Sequence, residues 1–276
     1  MRLMFQPAEE LLEGADDMIQ AGVLSDPPVD AAMMVHVMTG VPLASGTVIV
    51  SSEGESAPAA DYFAVTVKGK GCHGAMPNMG TDPIIAAAHI IVALGEISSH
   101  ELAMNDRAVI TVGNIKAGDS ANVIPDTAVI RGSMRAFGCE VREFIKKRLR
   151  EICESVSAAF RSEAEVSFDA GCPPLKNDGD LSVLVGGYLK ELAGSSHVLF
   201  SNELDGDGKR VAGSEDFAYV SQKVPSVMLA IAAGEPDKGF EYPLHHPKVA
   251  FDESVLPLGA AAYAYSAMRW LYEKST

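Results

Sequence analysis

The order of structural elements is clearest in one stretch, residues 61–97, which has the sequence DYFAVTVKGKGCHGAMPNMGTDPIIAAAHIIVALGEI. Residues 62–67 show the alternation that predicts a β-strand with one buried face. Residues 83–97 are apolar almost throughout and predict a helix, with Asp82 as the N-cap and Pro83 at the first helical position. The stretch therefore predicts a strand, a glycine-rich loop and a helix.

Predicted strands and helices continue to alternate over the next seventy or so residues. Residues 108–115 and 123–137 predict strands, and residues 140–160 predict a long amphipathic helix. Residues 164–168 predict a last strand. The order β-α-β-β-α-β over residues 61–169 is the split βαβ pattern of a ferredoxin-like α+β domain.

The segments before and after this unit also alternate between predicted helices and strands, as in an α/β domain. Before the ferredoxin-like unit, a short buried strand is predicted at residues 2–5, a helix at 8–21 and a strand at 31–37. After it, helices are predicted at residues 181–192, 216–222 and 252–272, and a strand at 226–232. We therefore predict one α/β domain made from residues 1–56 and 174–276, interrupted by a second domain at residues 57–173. Residues 51–60 and Cys172-Pro173-Pro174 form the predicted connections.

Composition excludes some classes of partner. The formal net charge is −15, whereas nucleic acids and anionic membranes are bound through basic surfaces. No stretch is predicted to be long enough to cross a bilayer. The four cysteines are widely spaced and include no Cys-x-x-Cys pair, so reduced thiols and a cytoplasmic location are expected. The composition is compatible with a small-molecule partner or a protein partner.

Several polar residues could carry chemistry, and each also has a purely structural interpretation. Adjacent Glu9 and Glu10 could supply a metal ligand and a proton shuttle, or a solvated acidic helix N-terminus. His36 ends an apolar segment and could be a ligand or a satisfied core histidine. His245 lies between prolines in a loop that could fix an imidazole towards a metal or simply be surface. His73 lies in a loop rich in glycine, and this position favours a functional role for His73 over a role in core packing.

Six short motifs occur in one order along the chain. They are Gln6-Pro7-Ala8-Glu9-Glu10, His36-Val37, Gly69-Lys70-Gly71-Cys72-His73-Gly74-Ala75, Asn122-Val123-Ile124-Pro125-Asp126, Gly213-Ser214-Glu215-Asp216-Phe217 and Leu244-His245-His246-Pro247. Together they resemble the co-catalytic metallopeptidase family of aminoacylases, hippurate hydrolases and related N-acyl amino acid amidohydrolases. The resemblance runs from the first residues to the C-terminal helix.

The resemblance implies a partial zinc-peptidase-like catalytic α/β domain with an inserted ferredoxin-like lid and dimerisation domain. It implies a site for two divalent metal ions, zinc or manganese. By matching motifs, Glu9 is the expected general base, and Glu10, His36 and His245 are the expected metal ligands. His73 corresponds to a lid histidine that reaches across a homodimer and stabilises the oxyanion of the neighbouring active site.

The same matching extends to the substrate. Asn122 and Arg135 correspond to positions that contact the amide or the carboxylate of a small N-acyl amino acid, and a bidentate arginine suits a free carboxylate. The implied reaction is attack of metal-activated water on the amide carbonyl. Glu9 takes the proton and returns it to the leaving amine.

One departure from the family pattern concerns the metal site. Relatives carry an upstream Cys-Gly-His-Asp segment whose Cys and His complete the metal pair, and the sequence contains no such segment. Three ligands cannot fill two metal sites, so the chain is expected to be an N-terminally truncated member with impaired hydrolysis. The alternatives are a non-catalytic fragment or dimerisation module, and a dipeptidase or carboxypeptidase of the same family.

Overall fold

The computed structural model describes residues 1–204 and 213–275 of the chain. The strands in these residues are β1 (Ala32–Met38), β2 (Val48–Val50), β3 (Gly54–Ala57), β4 (Ala59–Lys68), β5 (Cys72–His73), β6 (Ala108–Ala117), β7 (Val123–Ile124), β8 (Thr127–Ala136), β9 (Glu163–Cys172), β10 (Leu175–Asn177), β11 (Val198–Phe200) and β12 (Ser226–Ala232). The α-helices are α1 (Gly14–Gln20), α2 (Pro83–Glu96), α3 (Cys139–Ala159), α4 (Gly179–Ala193), α5 (Ala218–Ser221) and α6 (Leu256–Ser275).

One sheet, called here the antiparallel sheet, has the strand order β6-β8-β4-β9. Helices α2 and α3 pack against one face of it, and fully buried Val65, Ile90, Ile130 and Ile145 lie between the layers. Each pair of neighbouring strands is antiparallel. This order and the two covering helices are those of a ferredoxin-like domain, so the predicted β-α-β-β-α-β pattern is confirmed.

Helix α2 begins as the sequence predicts, because the Asp82 side chain accepts a hydrogen bond from the backbone N–H of Ile84. A wider helical turn continues it to Glu101. By length and composition the combined segment could cross a bilayer, contrary to our expectation. Its inner face, however, packs on the antiparallel sheet with Ile90 and Leu94 buried. Burial in this core accounts for the apolar residues on the inner face of the helix.

The second sheet, called here the mixed sheet, has the order β1-β12-β2-β11. Strands β1 and β12 run parallel, β2 is antiparallel to β12, and β11 is parallel to β2. Apolar residues of α4 and α6, including Leu189 and Ala262, are buried in the same cluster as the strands. The sequence did not predict β2 and β11, because three residues are too few to show a period.

The two sheets are joined through a short hydrogen-bonded ribbon. Strands β3 and β10 pair antiparallel where a linker was predicted over residues 51–60. Nearby, the Glu55 carboxylate accepts from the backbone N–H of Gly138 at 2.8 Å, and the Tyr219 hydroxyl donates to the carbonyl of Gly171. The junction is therefore held by polar contacts from both sides. We call the adjoining end of the antiparallel sheet, where Ala60 pairs with Arg135, the hinge end.

The strand predicted at residues 2–5 is wrong. These residues form no regular structure, and the side chains of Leu3 and Phe5 are 59% and 81% exposed. The Arg2 guanidinium donates to backbone carbonyls of the loop after α1, and Met4 packs against a small apolar cluster. An apolar run becomes a strand only where a neighbouring strand takes its backbone hydrogen bonds, and the described residues offer none here.

Two further elements are shorter than predicted. The helix expected over residues 8–21 is divided into a single 3-10 turn, Glu9–Leu11, and α1. The strand expected over residues 123–137 is interrupted between β7 and β8, at Pro125 and Asp126. Proline lacks the N–H that a strand pair needs, which explains the second interruption.

A buried ion cluster lies at the hinge end. Asp61 is 1% exposed, and its carboxylate accepts two hydrogen bonds of 2.7 Å from the Arg142 guanidinium. The Lys146 ammonium lies 3.2 Å from the same carboxylate. Both cations are on α3, so Asp61 ties this helix to β4.

We predict that Asp61→Ala lowers the free energy of unfolding by about 3 kcal/mol or more, because it leaves two poorly solvated cations without their partner. Urea denaturation measures the loss. The matched control is Glu165→Ala, which removes the exposed Lys68–Glu165 pair from the same sheet and should cost at most about 1 kcal/mol. Equal losses in the two variants would refute a special role for Asp61.

Candidate active site

The Glu9–Leu11 turn is held in an unusual backbone conformation. Ala8 before it and Leu12 after it have φ angles of 53° and 60°, a region that costs residues other than glycine about 1–2 kcal/mol each. The loop closes on itself at Gly14, where a Cβ atom would lie 1.5 Å from the carbonyl oxygen of Pro7. Only glycine fits there. This loop places the two adjacent carboxylates Glu9 and Glu10 on a tight, strained corner.

Three carboxylates converge beside this corner. Oxygens of Glu9, Glu215 and Asp216 all lie within 4.8 Å of one another, and we call these residues the carboxylate cluster. Glu215 and Asp216 are 5% and 0% exposed. Glu215 and Asp216 follow Gly213-Ser214 in the segment that leads into α5. The structure therefore brings together two motifs that are more than two hundred residues apart in the chain.

The surroundings of the cluster raise the pKa of all three carboxyl groups. Burial raises the pKa of Glu9, and the neighbouring Glu10 and Asp216 carboxylates raise it further, while His245 opposes them. Burial, together with Glu9 and Asp216, raises the pKa of Glu215 to about 7. Burial also raises the pKa of Asp216. Such shifts suit a group that exchanges protons near neutral pH.

The predicted ligands Glu10 and His245 face each other across the site. His245 Nδ1 lies 3.9 Å from a Glu10 carboxylate oxygen, and both side chains are about three-quarters exposed. His245 has a φ angle of 66°, in the left-handed region that such residues seldom adopt. Backbone strain of this kind clusters at functional sites. The pair is open to solvent on the side away from the carboxylate cluster's buried members.

His36 lies on β1, next to Val35. Its Nδ1 contacts the carbonyl of Val37, which can only accept, so in the neutral ring Nδ1 carries the proton and Nε2 keeps its lone pair. The backbone N–H of Val35 donates to the Tyr263 hydroxyl at 2.8 Å, and Glu215 in turn raises the pKa of Tyr263, after burial. An imidazole with Nδ1–H on a backbone carbonyl is oriented as metal-ligating histidines usually are.

His73 and Asn122 lie together, but far from the hinge end. His73 pairs with Val123 at the edge of the β5–β7 pairing, and the Gly74 N–H donates to the carbonyl of Asn122 at 2.8 Å. His73 Nδ1 accepts from the Ala75 N–H at 3.0 Å, so in the neutral ring the proton lies on Nε2. His73 therefore presents an exposed N–H donor. We call His73 and Asn122 the lid tip.

Arg135 lies at the opposite end of the antiparallel sheet from the lid tip. It pairs with Ala60, and Ala60 packs in a cluster with Leu12, next to the Glu9–Leu11 turn. The Arg135 guanidinium contacts the Tyr62 hydroxyl at 3.4 Å. Arg135 lies eight positions after Thr127 on β8, which corresponds to about 26 Å of strand. Within one chain, Arg135 therefore lies at the hinge end of the sheet, and β8 begins about 26 Å away, shortly after the lid tip.

Sequence reasoning did not select Glu215 and Asp216 as site residues. Their motif was visible, but an acidic pair after Gly213-Ser214 is also typical of an ordinary helix N-cap. Only the fold shows that both carboxyl groups are buried against Glu9. Two adjacent acids ahead of a very short helix were the available signal.

The donor set at this site fits a divalent cation. Glu10 supplies carboxylate oxygens and His245 supplies an imidazole nitrogen, a mixture that zinc and manganese accept in proteins, and His36 on β1 is the third predicted ligand. His36 has a free Nε2 in an oriented ring, and Glu10 and His245 lie close enough to share one ion after a small side-chain movement.

Comparison with known proteins identifies relatives along the whole chain. Residues 59–161 match the family model described as a peptidase dimerisation domain, which lies within the predicted second domain. N-acetyl-L-cysteine deacetylase from Bacillus subtilis is 36% identical over 275 residues, covering 100% of this chain and 61% of its own length. Thermostable carboxypeptidase 2 from Saccharolobus solfataricus is 33% identical, covering 98% of this chain and 66% of its own length.

A solved Bacillus subtilis structure shares the fold. It is described as a dinuclear metal binding peptidase from the M20 family, and it superposes with a TM-score of 0.72 at 28% identity over 97% of this chain and 64% of that chain. This chain therefore spans less than two thirds of the length of each of these relatives. The fold class predicted from the sequence is confirmed.

Proposed function

Because this chain belongs to the M20 family of amidohydrolases and peptidases, we propose that it acts in the metal-dependent hydrolysis of the amide bond of N-acyl amino acids. The observation that carries the proposal is the position of Glu9. Its carboxyl group lies within 4.8 Å of the buried acids of the carboxylate cluster, and the charges of both members of the exposed Glu10–His245 pair act on its pKa. A base beside a set of metal-ligating groups is what metal-assisted hydrolysis requires.

Glu10, His36 and His245 would hold a divalent ion, zinc or manganese. When bound, such an ion polarises the scissile carbonyl and makes water acidic near neutral pH. The dinuclear relative supports divalent metals at this kind of site. The raised pKa of Glu9 suits its part in the reaction, which is to accept the proton of the attacking water and deliver it to the leaving amine.

The lid tip supports a homodimer in which each active site is shared. His73 presents an N–H donor, but it lies at the end of the antiparallel sheet opposite its own hinge end, and β8 alone covers about 26 Å between Thr127 and Arg135. A second copy can bring this donor to the developing oxyanion, where one such contact is worth about 10²–10³ in rate. Asn122, next to His73, would contact the substrate amide from the same side.

The dimerisation surface we propose is the free edge of the antiparallel sheet with the outer face of α2. Strand β6 is ten residues long and lies at the edge of the sheet, with Val109 and Ile115 60% and 46% exposed. On α2, Val92 and Ile85 are 79% and 48% exposed. An open edge strand beside apolar side chains is typical of a surface covered by another chain, and the dimerisation-domain match includes both elements.

Arg135 is the proposed recognition group for the free carboxylate of the substrate. It lies at the hinge end, on the side of the sheet away from α2 and α3, and its guanidinium is held by the Tyr62 hydroxyl and ring. Its two terminal nitrogens match the spacing of a carboxylate. The proposed substrate is therefore an N-acyl amino acid with an unblocked carboxylate.

A second candidate is peptide hydrolysis, which is favoured by the similarity to the thermostable carboxypeptidase. A third is a dimerisation module without catalysis. A substrate panel separates the three. The metal-loaded protein is incubated with N-acetyl and N-benzoyl amino acids, their methyl esters at the α-carboxylate, and unblocked dipeptides, and the released amines are quantified.

We expect the N-acyl amino acids to be hydrolysed with a kcat/KM at least about tenfold above that of the dipeptides and of the esters, which lack the charge that Arg135 recognises. Faster release from dipeptides would favour the peptidase. No release from any substrate, with metal bound, would leave the dimerisation module.

A further inference from the structure

The buried carboxylate of Asp216 is connected to both ends of the loop that carries Glu9 and Glu10. One of its oxygens accepts from the Gln6 side-chain amide, which precedes the loop. The other accepts from the backbone N–H of Ala15, in the first turn of α1, at 2.7 Å. Asp216 itself is 0% exposed. One carboxylate therefore closes the loop from residue 6 to residue 15.

The loop needs such a closure. Ala8 and Leu12 have positive φ angles, and the 3-10 turn between them has no side-chain cap. A strained backbone persists only when its surroundings fix it. Gly14 lies close to the Pro7 carbonyl, but this closeness only excludes a side chain at position 14 and does not hold the loop together. The two hydrogen bonds to Asp216 are the attractive contacts that link both ends of the loop.

We propose that Asp216 is a positioning residue for the catalytic pair: it acts through Gln6 and Ala15 to fix Glu9 and Glu10. Each of its two oxygens accepts a hydrogen bond from one end of the loop, and its side chain is fully buried. This inference rests on the proposed function of the Glu9 site. Its closing experiment has one arm that does not depend on activity.

The test exchanges the donor and the acceptor between two side chains. Gln6→Glu replaces the amide donor that faces Asp216 by a second carboxylate, which has no N–H to donate, so this contact is lost. Adding Asp216→Asn places an amide donor opposite the new carboxylate, keeps an oxygen for the Ala15 N–H, and leaves the net charge of the chain unchanged. Asp17→Asn, on the exposed side of α1, is the matched control for a change of one charge beside the loop.

Two quantities are measured in each variant. The first is hydrogen exchange of the backbone amides of residues 8–14 in the metal-free protein. The second is kcat and KM for an N-acetyl amino acid at saturating Mn²⁺. For Gln6→Glu we expect exchange about tenfold faster, and kcat lower by about 10–100-fold with KM nearly unchanged. The double variant should recover most of both, and Asp17→Asn should match wild type.

A double variant no better than Gln6→Glu, or unchanged loop exchange in Gln6→Glu, would overturn the proposal. If wild type has no turnover, the proposed function fails, while the exchange of residues 8–14 still decides the positioning role. If Gln6→Glu does not fold, recovery of a folded protein in the double variant supports the proposal, and its failure to fold overturns it.

Discussion

Replacing Glu9 by glutamine is expected to lower kcat for an N-acyl amino acid by about 10²–10⁴-fold, the usual contribution of a positioned general base. The change keeps the shape of the side chain and removes its ability to take a proton. The exposed Glu10–His245 pair is unaltered, so the metal content should stay within about twofold of wild type. Steady-state kinetics and metal analysis by mass spectrometry measure the two effects separately.

The matched control is Glu13→Gln, which removes the same charge from the exposed end of the same loop and should leave kcat unchanged. A Glu9→Gln protein with normal turnover would exclude Glu9 as the base. Loss of metal together with turnover would instead make Glu9 a ligand. That outcome would agree with its place in the carboxylate cluster but contradict the role proposed for it.

Mixing two inactive variants is expected to restore activity. Glu9→Gln and His73→Ala should each be strongly impaired, the second by about 10²–10³-fold because it removes an oxyanion donor. In a mixed dimer, one of the two sites combines Glu9 of one subunit with His73 of the other. Since random reassortment makes about half of the dimers mixed, about a quarter of wild-type activity should return after subunit exchange.

The physical reason is the distance between the lid tip and the hinge end within one chain. If His73 served its own chain's site, every site in the mixed dimer would lack either Glu9 or His73, and no activity would return. His73→Ala mixed with wild type serves as the control for exchange. Native mass spectrometry of the mixture measures how many dimers are mixed.

The sequence predicted those parts of the fold in which local pattern and tertiary packing agree. Helix α2 begins at the predicted cap, Asp82, and β12 has the predicted bounds, because each buries one apolar surface. The strand predicted at residues 2–5 is wrong because the described part of the chain has no strand to pair with these residues. Strands β2 and β11 are fixed by their neighbours in the mixed sheet, which a window of three residues cannot reveal.

The candidate site also has a part that the sequence predicted and a part that it did not. Motif order was enough to select Glu9, Glu10 and His245, which the fold brings close to one another. The buried position of Glu215 and Asp216 depends on how α5 packs against the first loop, and no spacing in the sequence encodes that contact. The remote position of His73 relative to its own hinge end also appears only once the antiparallel sheet is assembled.

The most direct test of a metal-dependent amidohydrolase is the hydrolysis of N-acetyl-L-methionine by protein stripped of metal with a chelator, before and after addition of Zn²⁺ or Mn²⁺. We predict no hydrolysis by the stripped protein, and turnover that returns in proportion to the metal bound, in wild type but not in a Glu10→Gln/His245→Ala variant. Equal rates with and without metal, or equal rates in wild type and the double variant, would contradict the proposed site.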